Sequence, residues 1–213
     1  MNMRKSEIVI LGIILFSFII SIYFYPQMPE EMAFHWNTQG QADGYMLKFW
    51  GLFLMLFIIV GLALLFIAIP RINLLKANIE KFRKYYDGFI ILLFIFMLSI
   101  HFWMILWNIE IKISSNIIFP IGFSILFFYI GIFCENAKRN WFIGIKTPWT
   151  LSNEKIWDKT HKISGKLFKI AGIITFFGIF LQKYTIFFIF VPVILIAAYT
   201  IVYSYFEYQR KQK

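Results

Sequence analysis

The feature that most constrains this chain is a series of continuous apolar blocks, each close to the length of a membrane span. Crossing a hydrocarbon core of about 30 Å takes roughly 20 helical residues, with about 17 as the lower limit. Residues 8–25, 49–70, 89–109, 117–134 and 185–206 meet that limit. Residues 167–182 fall just short of it, and Lys169 near their start can snorkel to the headgroups. In lipid only helices and closed barrels satisfy every backbone hydrogen bond. The blocks are continuous rather than alternating, so they predict helices and exclude a β-barrel. The expected fold is an all-α integral membrane protein with six transmembrane helices. Composition points the same way, at 60% hydrophobic and 15% charged residues. A soluble domain is about 45–50% apolar and about 25% charged, and one of this length lacks the interior to hide the excess. An ordinary soluble domain, a disordered chain and a disulfide-stapled secreted module are thereby excluded.

Charge placement predicts orientation. Of the 21 Lys and Arg residues, eighteen lie before the first block, between the second and third, between the fourth and fifth (counting Lys169 at the fifth block's start), or after the sixth. Only Lys48, Lys112 and Lys183 lie in the alternate connections. By the positive-inside rule both termini are cytoplasmic, in a multi-pass protein of the plasma membrane. Arg4 and Lys5 precede the first block, yet no small-residue cleavage site follows it, so it reads as a retained helix. The net charge of +10 is thus a topology signal rather than a nucleic-acid footprint, and no direct nucleic-acid binding is expected. Two regions follow: 1–70, holding two spans and an extracellular loop at 26–48, and 71–213, holding four spans and a cytoplasmic loop at 135–166. Residues 71–88 read as a basic connector beside anionic lipid.

In the outer loop, Met32, Phe34 and Trp36 alternate with Ala33, His35 and Asn37, the pattern of a short strand with one apolar face. Gly40 and the Asp43-Gly44 pair are turn signals. His35 and Asp43 either contact a ligand or hydrogen-bond the turn that caps the helices. In the inner loop Pro148 holds Thr147 extended, and Thr150 or Ser152 is placed to cap the helix that follows. Lys155, Lys159, Lys162 and Lys166 form one stripe of that helix, with Ile156, Thr160, Ile163 and Leu167 beside it. Trp157, His161 and Phe168 lie beyond the second stripe. Such a pattern predicts an amphipathic helix in the headgroup plane, before the chain turns into its fifth span. It is either a lipid anchor or a docking surface for a cytoplasmic partner. Trp36, Trp50, Trp107, Trp141, Trp149 and Trp157 are expected at the interfaces as an aromatic belt, with Trp103 deeper.

The inner string Asn140, Gly144, Lys146, Thr147, Pro148, Trp149, Thr150, Leu151, Trp157, Thr160, His161 and Gly165 resembles, in its spacing, the signature of the SdpI-like family. The outer string His35, Trp36, Asn37, Gly40, Asp43 and Gly44 resembles the small extracellular domain common in that family. Lys146 is a departure, since the family usually carries Arg there, and an ammonium does not replace a guanidinium fork. The family comprises six-span immunity proteins against the sporulation-delaying-protein toxin. The resemblance implies protection from a membrane-active peptide outside. It also implies capture of a cytoplasmic transcriptional repressor at the membrane.

Enzymatic readings find little support. There is no His-Glu-x-x-His helix and no Gly-x-Ser-x-Gly elbow. His35, His101 and His161 belong to different membrane levels, so no metal or cofactor is expected, and Cys134 reads as reduced and structural. A small transporter or exporter is the alternative function. His101 lies in the third block on the same helix face as Asn108, and a polar group at that depth marks a pathway by default. Equally, a neutral His101 bonded to a neighbouring helix would account for it.

Overall fold

The computed structural model describes residues 4–212. Lys213, counted above in the basic tail, lies outside them. Long helices carry most of the chain: α1 (Lys5–Phe24), α2 (Lys48–Ile72), α4 (Arg83–Asn108), α5 (Ser115–Asn136), α7 (Glu154–Phe177) and α8 (Thr185–Gln212), with short helices α3 (Lys76–Lys81) and α6 (Pro148–Ser152). Five of them, α1, α2, α4, α5 and α8, are long and apolar enough to cross a membrane, as expected of an integral membrane protein. Their apolar residues run all round the helix because one side faces lipid and the other the bundle.

The architecture is not purely helical. Strands β1 (Glu31–Trp36) and β2 (Ala42–Leu47) form an antiparallel hairpin between α1 and α2. It sits on the ends of α2 and α4. The expected alternation of apolar and polar faces fails, because Met32 and Ala33 are both fully buried while Phe34 is 42% exposed. Helices cover the strand on two sides. Met32 packs so closely on Gly51 of α2 that a Cβ there would lie 2.9 Å from its side chain, and Ala33 is turned to α4. Register shifts on either side of His35 then expel Phe34 and Asp43 from the ladder, as β-bulges do.

Two groups of helices make the bundle. In the first, α1, α2 and α4 pack together, and His101 of α4 is buried with its Nε2 3.0 Å from Ser21 Oγ of α1. In the second, α7 lies between α5 and α8, and α4 joins the two groups by packing on α5. The α5–α7 crossing is the tightest. A Cβ on Gly131 would stand 2.5 Å from the Gly165 carbonyl, and one on Gly165 would stand 2.7 Å from that of Gly131. Further along, a Cβ on Gly172 would stand 2.7 Å from the Ser124 carbonyl. Small residues let helix backbones touch where water gives no hydrophobic drive for association.

That crossing corrects one expectation. The helix beginning at Glu154 does not lie flat and then turn; α7 continues unbroken to Phe177. Its buried face, which holds Ile156, Trp157, Thr160, His161, Ser164, Gly165, Ala171, Gly172 and Thr175, stays against α5 and α8 throughout. An apolar stripe predicts something to bury against, and here neighbouring helices take the place assigned to lipid. Glycine tests separate the two environments. Gly165→Ala is expected to cost about 1–3 kcal/mol through overpacking, seen as a lower Tm in detergent. Gly12→Ala and Gly61→Ala meet nothing within 4 Å and should leave Tm unchanged or slightly raised.

Candidate functional site

The family-like residues gather at opposite ends of the bundle. At one end the hairpin turn is built by Asn37, whose Oδ1 accepts from Gln39 N and Gln41 N, both at 3.0 Å. Gly40 closes the turn at φ +78°, a conformation that a Cβ penalises. His35 pairs across the strands with Gly44, where a Cβ would lie 2.9 Å from that of His35. The bulges bring His35 Nδ1 within 2.5 Å of Asp43 Oδ1, so the two bind each other in an exposed pair. Trp36 packs at a tilt against Trp103 and edge-on against Trp107, with centroids 4.4 and 5.4 Å away.

Two asparagines outside both motifs hold this end in place. The Asn108 amide meets the free edge of β1, accepting from Ala33 N at 2.8 Å and donating to Ala33 O at 3.0 Å. It thus acts as a one-residue neighbouring strand and covers an edge that would otherwise be open. Asn116 Nδ2 donates to Thr38 O at 3.1 Å, tying the turn to α5. Their positions near helix ends were visible in the sequence, but the backbone they bind is distant along the chain. Between the hairpin and the first turns of α5 and α8 lies a cavity of about 500 Å³. His35, Asn37, Asp43 and Asn116 give it a polar rim, and Phe119, Phe123, Ile186 and Phe190 give it apolar walls.

At the other end, residues 137–165 form a closed knot around Trp157 and His161, both essentially unexposed. Asn140 fills all its hydrogen-bonding capacity locally. Its Oδ1 accepts from Phe142 N and Ile143 N, and its Nδ2 donates to Lys138 O and Ile143 O. Gly144 follows at φ +107°, against the imidazole, where a Cβ would stand 2.5 Å from His161 Nε2. Ile145 N donates to that Nε2 at 3.0 Å, so Nε2 is the acceptor and the proton sits on Nδ1, which donates to Trp157 O at 2.9 Å. Trp157 stacks on the same ring at 3.9 Å and donates from Nε1 to Ala137 O at 2.8 Å. Burial lowers the His161 imidazole to about 4, so it is neutral at physiological pH.

The loop then turns into α6 through a reciprocal cap. Thr147 Oγ1 accepts from Thr150 N at 3.1 Å, Thr147 N donates to Thr150 Oγ1 at 2.9 Å, and Pro148 occupies the first turn. Thr147 Oγ1 also meets Ser204 Oγ of α8 at 3.1 Å. Trp149 packs edge-on against Tyr205 at 5.2 Å. The cap of α7 is neither Thr150 nor Ser152. Asn153 Oδ1 accepts from Lys155 N at 3.0 Å and Ile156 N at 3.4 Å, because the chain breaks between α6 and α7 at that residue. Leu151 O accepts from Arg139 Nη1 at 2.9 Å, and Asn78 of α3 binds Arg139 O at 2.9 Å.

Burial sorts the motif by role. Asn140, Thr147, Thr150, Trp157, Thr160, His161 and Gly165 are buried, so they build the knot rather than present a surface. Trp157 in particular is not an interfacial belt residue, since its indole is spent on Ala137 and His161. Gly144, Lys146 and Pro148 are exposed, and Trp149 and Leu151 are half-buried. All four lysines of the stripe are exposed, and Lys159 is held by Glu207 of α8 at 2.6 Å.

Two measurements check this arrangement. Protonating His161 forfeits the Ile145 bond. Its folded value near 4 lies below the ordinary 6.5, so its stabilising share is complete above pH about 6.5 and declines as pH falls toward 4. Thermal melts across that window should show a steeper loss for the wild type than for His161→Gln, which starts less stable and lacks this titration. Asn108→Ala should free the β1 edge at a cost of about 1–3 kcal/mol. Hydrogen exchange at the Ala33 amide should then accelerate while the amides of α7 stay protected.

Comparison with known proteins finds similarity at both ends. Residues 136–204, from the knot through most of α8, match the family described as SdpI/YfhL protein family. Residues 12–71, from α1 through the hairpin to the end of α2, match a Domain of unknown function (DUF1648). The immunity protein SdpI of Bacillus subtilis (strain 168) is 26% identical over 210 residues, covering 97% of each chain. No solved structure matches. The chain is thus similar to the SdpI/YfhL family over its motif segment, and to an immunity protein along nearly its whole length.

Proposed function

We propose that this protein protects the cell that carries it from a membrane-active peptide toxin, and that the groove beneath the hairpin is where the peptide is met. The observation that carries this reading is the cavity of about 500 Å³ between the hairpin, α5 and α8. Its aromatic and aliphatic walls suit the apolar face of a peptide in the bilayer, and its His35–Asp43 rim suits the polar face. Resemblance to a curated immunity protein along nearly the whole chain supports the same reading.

In this proposal the chain crosses the plasma membrane six times, with both termini cytoplasmic. The part of α7 from Leu167 onward supplies the remaining crossing, with the lysine-bearing first turns of the helix on the cytoplasmic side. Its first turns lie under Ala137 at the end of α5, while its last turns lead through a short connection to Thr185, which lines the hairpin cavity with Asn116. The helix therefore reaches from one end of the bundle to the other. Its mixed composition is compatible with crossing because Thr160, His161, Ser164 and Thr175 are buried against its neighbours, while the exposed Lys155, Lys159, Lys162 and Lys166 all precede Leu167. Eighteen of 21 basic residues then fall on the cytoplasmic side.

The cytoplasmic face adds a proposed signalling function, retention of a transcriptional repressor. Lys155, Lys162 and Lys166 offer the charge and Trp149 the aromatic contact, while Trp157 supports them from within. A sensitive host expressing the protein should keep its membrane potential when challenged with the toxin peptide. Phe190→Trp, which fills the groove, should abolish protection while the protein remains in the membrane at normal levels. Lys155→Glu with Lys162→Glu should leave protection intact and release the repressor. Depolarisation of wild-type-expressing cells as fast as of empty-vector cells refutes the protective function.

A further inference from the structure

Away from the hairpin, two adjoining cavities lie where α1 meets α2. The first, about 360 Å³, holds Arg4, Arg71, Lys76 and Arg83 against only two carboxylates, Glu7 and Glu80. Those carboxylates orient the guanidinium groups rather than cancel them. Glu7 accepts from Arg4 Nη2 at 2.7 Å and from Arg71 Nη2 at 3.2 Å, and Glu80 pairs with Arg83. Asp87 stands behind the cup, 3.6 Å from Arg4 Nη1, so an excess of one positive charge remains, with Arg71 half-exposed and Lys76 open to solvent at its mouth.

The second cavity, about 330 Å³, is a groove between α1 and α2 walled by Ile10, Leu11, Ile14, Val60, Leu64 and Ile67. It is almost wholly apolar. Glu7 and Arg71 line both cavities, so the basic cup stands at the head of the apolar groove. A soluble anion would suit the cup and leave the groove without a purpose. A zwitterionic lipid would suit the groove and bring its own cation to a site already cationic. An amphiphile with a net negative phosphate head and an acyl chain matches both parts.

We propose that this is a binding site for an anionic phospholipid, its phosphate held by Arg71 and Lys76 at the cup and one acyl chain laid along the α1–α2 groove. The occupant would come from the leaflet on the side of the termini, where α1 begins and α2 ends. It would also seal a seam between two helices that are otherwise in lipid on their outer faces.

Native mass spectrometry of the full chain in mild detergent tests the site, with phosphatidylglycerol, phosphatidylcholine, glycerol phosphate and inorganic phosphate as probes. Phosphatidylglycerol should be retained about tenfold better than phosphatidylcholine, and the two soluble phosphates should not be retained. Arg71→Gln with Lys76→Gln should erase that preference, and Val60→Trp should reduce retention by blocking the groove. Lys162→Gln with Lys211→Gln removes the same charge elsewhere and should preserve the preference. Arg71→Lys with Lys76→Arg should preserve it too, which separates lost recognition from lost folding. Equal retention of the two lipids by the wild type overturns the proposal, as does an undiminished preference in Arg71→Gln with Lys76→Gln. Retention of glycerol phosphate as tight as that of the lipid also overturns it, by showing a site for soluble anions.

Discussion

The close approach of α5 and α7 at Gly131 and Gly165 is the contact on which the motif end depends. With each glycine facing the other's carbonyl, no side chain separates the helices, and the first turns of α7 are drawn under the end of α5. Only at that distance does Trp157 reach Ala137 O, which in turn holds its ring against His161. His161 then accepts from Ile145 N and sets the path of the loop that passes above it. A methyl group at the crossing would therefore be felt several turns away, because packed helices move as rigid bodies rather than yielding locally.

The same logic explains why so much of the motif is hidden. Residues that look like a recognition surface when written in a line are mostly partners for loop backbone. Asn140, Thr147, Thr150 and His161 each answer N–H or C=O groups that a loop cannot pair with itself. Near a membrane such groups are costly to leave unpaired, so the loop requires these side chains to be present together. What remains outside is chemically simple: a row of lysines, Trp149 at its end, and the exposed Lys146.

At the opposite end the hairpin is held by borrowed groups. Asn108 completes the edge of β1, Asn116 fixes the turn, and Trp36 is wedged among Trp103 and Trp107. A two-stranded hairpin is marginal alone, so its helices stabilise it, and it in turn forms the roof of the groove. Protection is thus proposed for a surface that exists only when α4, α5 and α8 are assembled.

Much of this was legible in the residues themselves. Apolar block length and the distribution of Lys and Arg predict membrane helices and an orientation, because both reflect how each side chain partitions between water and lipid. The turn chemistry of Asn37, Gly40 and Pro148 is equally local. Contacts between distant segments decided the rest. Periodicity shows that one face of the helix after Asn153 must be covered, and it is silent on whether lipid or protein covers it. The bundle decides for protein, which makes α7 continuous and buries Trp157. Likewise no local signal tells that Asn108 binds Ala33, or that Arg4 and Arg71 share Glu7. Hydrogen bonds and ion pairs depend on where side chains meet in space, and that is set only when the helices pack.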